Sequence, residues 1–194
     1  NSVFHSCNKQ KLIEFLGNVD FLCGHNIINH DVKYLFGKDS HRWELVDTLY
    51  VSPLLFPERP YHRLLKDDKL ICDQMNNPVN DCKKADDLLI DEVAGWNSLS
   101  EEKKTIFATL LNDIIEFKGF LTFVGAKITD KKTLDRLIHS VYYGCICEHS
   151  DINSIIERFP CELAYALALI DTIDYRSITP AWVLHNYPNV EYVV

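Results

Sequence analysis

The chain is predicted to be an α/β protein in which a sheet-bearing first half passes into a helical second half. Three observations predict this. The stretch Asp20-Phe-Leu-Cys-Gly-His-Asn-Ile-Ile-Asn-His-Asp-Val-Lys-Tyr-Leu35 reads as a short buried strand, a polar exit and a helix start. Beyond Trp96 the apolar residues recur at helical spacing to near Ile170. The composition, 47% hydrophobic and 25% charged over 194 residues, suits one good-sized domain or a domain with an extension.

Composition excludes several classes. No apolar run approaches the roughly 18–20 residues that span a bilayer, and the first residues have neither signal- nor transit-peptide character. No membrane association is expected, and a cytoplasmic location is. A net charge of −8 argues against a surface that attracts nucleic acid over its whole extent. It leaves room for carboxylates that recruit cations locally. The seven cysteines are odd in number, scattered and mostly set in apolar segments, which points to reduced thiols.

In chain order, Ser2 to Ser6 alternates like the last part of an edge strand. Asn8 caps a short helix carrying Leu12, Ile13, Phe15 and Leu16, and Gly17 closes it. Phe21 to Gly24 is the buried strand, Gly24-His25-Asn26 its sharp exit. Asn29-His30-Asp31 opens a helix with Val32, Leu35 and Phe36 inward. Asp31 then stands at the edge of a rigid sheet, where α/β folds place chemistry. Trp43 to Val51 reads as a second buried strand. Within it Asp47 and Thr48 have the character of residues that bond local backbone groups. A proline-punctuated connection, Ser52 to Pro60, leads to Tyr61-His62-Arg63-Leu64, where His62 reads as a partly buried structural imidazole.

Asn77 and Pro78 form a helix start. Val79, Cys82, Ala85, Leu88, Leu89, Val93 and Trp96 make the stripe, with Asp81 in the first turn. Ser100 caps a long helix with Glu101 and Glu102 in its positive first turn. Its stripe runs from Ile106 through Leu121 and ends near Gly125. Asp130 to Tyr143 and about Asp151 to Phe159 are further helices. Pro160 to Ile170 is apolar all round and is the expected central helix of this half. Thr179 to Leu184 is a further capped start.

Cys145-x-Cys147-x-His149 combines zinc-ligand types. Its spacing is tighter than the about two to four residues of structural zinc pairs, and Cys161 is the only nearby fourth ligand. Buried thiols at a helix end are the simpler reading.

Gly24-His25-Asn26 with Asp31 and Leu35 resembles the second motif of the DnaQ-like 3′–5′ exonucleases, which have four carboxylates and a ribonuclease-H-like fold. Here His30 replaces the motif's aromatic residue. Asn76-Asn-Pro-Val-Asn-Asp81 resembles the third motif. The resemblance implies that Asp31 and Asp81 ligate metal, Mg²⁺ or Mn²⁺, for phosphodiester hydrolysis. It places Asn76 at the general-base position, and Asn26 and His62 among the nucleic-acid contacts. Two departures stand out. Neither Asn76 nor Asn77 can take up a proton near neutral pH. His25 and His30 are the remaining bases to consider, although an imidazole in such a turn more often serves structure. The first motif, Asp-x-Glu, occurs nowhere in the chain. Two carboxylates alone do not make a two-metal site. The opening residues read as a late strand, so the first strands of the sheet, and the place of that motif, are expected to precede Asn1.

Asp47 to His62, Glu116 to Phe120, Cys161 to Ala168 and Ile178 to Pro188 are similar to bacterial RecQ-type ATP-dependent DNA helicases, between an N-terminal exonuclease-like domain and the helicase core. There is no Gly-x-x-x-x-Gly-Lys-Ser/Thr phosphate loop. The expectation is a ribonuclease-H-like half over residues 1–98 and a helical extension over 99–194. The extension would lead towards a helicase core of the same polypeptide. The implied role is an accessory nuclease-like domain that engages single-stranded DNA or DNA ends, with 3′–5′ exonuclease activity if the site is complete. The alternative is a noncatalytic module that docks DNA or protein through a degenerate site; a structural scaffold for oligomerisation is a third reading.

Overall fold

A computed structural model describes residues 3–36, 41–59, 62, 64, 78–170, 183 and 185–187. Its class is mixed α/β, mostly helical around a small parallel sheet. Strand β1 (Phe21–Gly24) pairs with β2 (Glu44–Asp47) in the register Phe21↔Glu44 to Gly24↔Asp47. Both strands therefore end at one level, and their exits form one edge. Among the described residues no helix is long and apolar enough to cross a membrane.

The helices start where local chemistry starts them. The Asn8 side chain accepts from Lys11 N–H at the head of α1 (Lys9–Leu16), and Gly17 ends that helix at φ 53°. Residues 3–6 are not a strand, contrary to the expectation. Phe4 instead stacks on Phe15 of α1, with ring centroids 4.7 Å apart. After β1 the chain makes a π-helical turn, Val32–Phe36. Its wider pitch alters the phase of the side chains. Phe36 is buried against Trp43, while Leu35, expected inward, is exposed.

The second strand is shorter than predicted. After four residues Asp47 turns and caps helix α2 (Thr48–Leu55), its side chain accepting from Leu49 N–H. A run apolar on both faces fits a buried helix as well as a buried strand, so periodicity did not separate them. Helix α3 (Pro78–Ser98) follows and packs on α2 and β1.

Ser100 caps α4 (Glu101–Leu111), as expected. The long helix expected to run on to Gly125 breaks at Asn112–Ile114, where Ile114 is extended, and α5 (Ile115–Phe123) starts in a new direction. Asp130 caps α6 (Lys131–Val141) and Asp151 caps α7 (Ile152–Arg158). Helix α8 (Pro160–Ile170) is buried along most of its length.

The break before α5 lets that helix reach the sheet. Glu44 donates its N–H to Asp20 across the strand pair. In a parallel ladder the next residue's peptide groups then point to the other edge of β2. Gly119 of α5 lies against that edge: a Cβ there would fall on the carbonyl of Leu45. Covering a strand edge with a helix removes its tendency to recruit foreign strands.

One hydrophobic cluster joins the two halves of the chain. Val46, Val51, Leu54 and Trp96 pack with Ile106, Phe107, Phe117, Phe120 and the inner face of α8. Tyr165 of α8 is fully buried and donates its hydroxyl to the Tyr50 carbonyl at 2.7 Å. A smaller cluster, Leu22, Ile27, Phe36 and Trp43, lies under α1.

Gly119→Ala is expected to destabilise the fold by about 1–3 kcal/mol, the usual cost of overpacking. Urea denaturation measures this. An unchanged midpoint would mean that α5 does not close on β2 as described.

Candidate functional site

The candidate site lies at the common exit of the two strands. Its frame is Asp47, whose side chain is fully buried. Oδ1 accepts from Asn26 N–H at 2.7 Å and Leu49 N–H at 3.1 Å, and Oδ2 accepts from Ile28 N–H at 3.2 Å. Burial pushes the Asp47 carboxyl up to about 6, against the pull of these three donors. Asn26 turns the chain at φ 64°, a conformation that asparagine tolerates better than most residues. This supports the structural reading of Asp47 and gives Asn26 a backbone role in the turn.

Two imidazoles flank α2. His25 Nδ1 and Thr48 Oγ1 share a hydrogen bond of 3.0 Å, and so do His62 Nδ1 and Ser52 Oγ. Thr48 and Ser52 are one helical turn apart, so both imidazoles lie on one face of α2. Burial lowers His25 to about 4. Burial, with Arg59 and His25 nearby, lowers His62 to about 4. Both rings are neutral at pH 7. His62 is a buried imidazole, as expected, rather than a surface contact residue. Asn29 Nδ2 donates to Tyr50 Oη at 2.7 Å and ties the turn to the same helix.

Asp31 is half-buried where the π-helical turn begins, and burial raises its carboxyl above the usual carboxylate range. His30 lies 4.0 Å away and pulls the other way. Asp81 is partly exposed in the first turn of α3. The Cys82 thiol is raised first by partial burial and then by Asp31 and Asp81. Both aspartates are thus near enough to Cys82 to act on its charge. Asn76, the general-base position, lies outside the described residues, as does Asn77.

Among the described residues, no group of three or more His, Cys, Asp or Glu side chains is arranged to hold a metal ion. The described residues by themselves therefore do not fit a centre for Mg²⁺ or Mn²⁺. No protein-family model, curated protein or solved structure matches the chain. The functional reading thus rests on the sequence resemblance and on the site's own geometry.

Cys145 and Cys147 are exposed, not buried as expected, on the turn after α6. Another residue escaped the sequence reading. Glu92 is fully buried on the inner face of α3 with Ala85 and Trp96. Its position on that stripe was visible in the spacing, but an acid there reads as an interruption of the apolar pattern.

Asp47→Ala would leave three backbone donors without their acceptor, at a cost of at least about 3 kcal/mol. Asp47→Asn keeps Oδ1 for Asn26 and Leu49 and sets an amide against Ile28 N–H, at about 1–2 kcal/mol. Denaturant midpoints of the two variants test the order. A smaller loss in Asp47→Ala than in Asp47→Asn would show that the carboxylate does not frame the site.

Proposed function

We propose that this chain is a nuclease-like accessory module of a RecQ-type DNA helicase, with a ribonuclease-H-like ancestry for its sheet. Its work is docking of single-stranded DNA ends beside the helicase core of the same polypeptide, rather than hydrolysis. The observation that carries this is how the polar residues of the strand exit are used. Asp47 is filled by three backbone donors, and the Nδ1 atoms of His25 and His62 bond hydroxyls of α2. These groups hold a shape. Two-metal hydrolysis requires carboxylates that place two cations about 3.5–4 Å apart around the reacting oxygens. Among the described residues of the exit, Asp31 and Asp81 remain for that task, and two carboxylates do not supply it.

One observation favours the catalytic reading. Asp31 and Asp81 come from distant parts of the chain and still act on the same thiol, Cys82. In that reading they ligate Mg²⁺ or Mn²⁺, and Asn76 at most orients a water.

An assay with 5′-labelled single-stranded DNA and Mn²⁺, without ATP, separates the two. Docking predicts retarded DNA of unchanged length. Retention should weaken on chelation, because a chain of charge −8 needs cations to screen phosphate. Stepwise shortening from the 3′ end that Asp31→Ala abolishes would overturn docking in favour of hydrolysis. Neither retention nor shortening would refute both.

A further inference from the structure

Glu92 is out of keeping with its surroundings. It occupies a core position of α3, and neither carboxylate oxygen has a hydrogen-bond partner. The groups around it come from each element of the seam. They are Asp47 at the end of β2, Cys23 on β1, Arg59 beyond α2, and its neighbour Asp91. The Arg59 guanidinium reaches Asp91 Oδ2 at 3.0 Å. A charge on Glu92 would lie out of contact with water and beside Asp47, with no donor bonded to it. An unpaired buried carboxylate costs far more than a neutral acid in the same place.

The seam also leaves little room for escape. A Cβ on Gly95, one turn further along α3, would touch the Phe56 ring at 3.0 Å. Glu92 reaches water only if the helix moves.

We infer that Glu92 is a proton-dependent latch: as the neutral acid it lets α3 close on β1 and α2, and on ionisation it drives the helix away from them. Burial, and then Asp47, push this carboxyl up to about 10 from an ordinary 4.5, with Arg59 opposing. The closed form holds a proton that the open form gives up. The latch is therefore fully set below the ordinary value and loses hold as pH rises through that window. The released population grows about tenfold per pH unit. This inference does not depend on the docking function.

The test is hydrogen exchange on the whole chain at pH 7.0 and 8.5, with Glu92→Gln alongside. That range lies above the titration of Asp47, His25 and His62. After correction for intrinsic exchange, α3 amides of the unmodified chain should open about thirtyfold more at pH 8.5. In Glu92→Gln they should not respond, and α8 should not respond in either protein. Infrared difference spectra at pH 7.0 should show a buried carboxylic-acid carbonyl band that Glu92→Gln removes. Glu92→Met, which removes both polar oxygens, serves if the amide does not fold, with the same flat response expected. Equal responses in the unmodified chain and the variants would overturn the latch. So would equal responses in α3 and α8, or no acid band.

Discussion

The carboxylate of Asp47 is the contact on which the strand exit depends. It ends β2 after one short run, caps α2 through Leu49, and fixes the turn through Asn26 and Ile28. Two of those donors lie in the turn that leaves β1, and the third lies in the first turn of α2. The consequences spread along α2. Its direction sets Thr48 and Ser52 against the two imidazoles, and Tyr50 against Asn29 and Tyr165. Aspartate suits this place because its short side chain holds both oxygens near the backbone. A neutral acceptor would meet the same donors more weakly.

The sheet in turn depends on helices that come later in sequence. Two four-residue strands bury too little to stand alone. Helix α5 supplies what is missing by covering the outer edge of β2, which only a glycine at 119 permits. Helix α8 reaches the same region through the Tyr165 hydroxyl. The change of composition near residue 98 is therefore bridged by one continuous core.

What could be read in advance is what local chemistry decides. Asn8, Ser100, Asp130 and Asp151 cap helices through their own side chains. Gly17 and Gly125 take a positive φ, which glycine adopts without strain. The strand exit at Gly24 to Asn26 was legible for the same reason. The failures share another cause. Whether Trp43 to Val51 is strand or helix turns on donors more than twenty residues away at Asn26. The break before α5 is needed by an edge that belongs to β2. The π-helical turn keeps Phe36 inward but turns Leu35 out to solvent, without any change in hydrophobicity. Each is set by a partner distant in sequence.

Two fully buried carboxyls, Asp47 and Glu92, show one rule acting in opposite directions. Both are desolvated, and desolvation raises both. Asp47 meets three N–H groups and is ionised at neutral pH; Glu92 meets none and holds its proton. Of these two acids, charge is thus kept where backbone donors converge to satisfy it. A second negative charge a short distance away would oppose the first, so the arrangement is stable with one charge between the two acids. That constraint bears on the docking reading. In that reading Asp31 and Asp81 would face a ligand while the acids behind them are either paired with the backbone or neutral. The field at the site then combines the Asp47 charge, met by its three backbone donors, with the partly exposed carboxylates of Asp31 and Asp81.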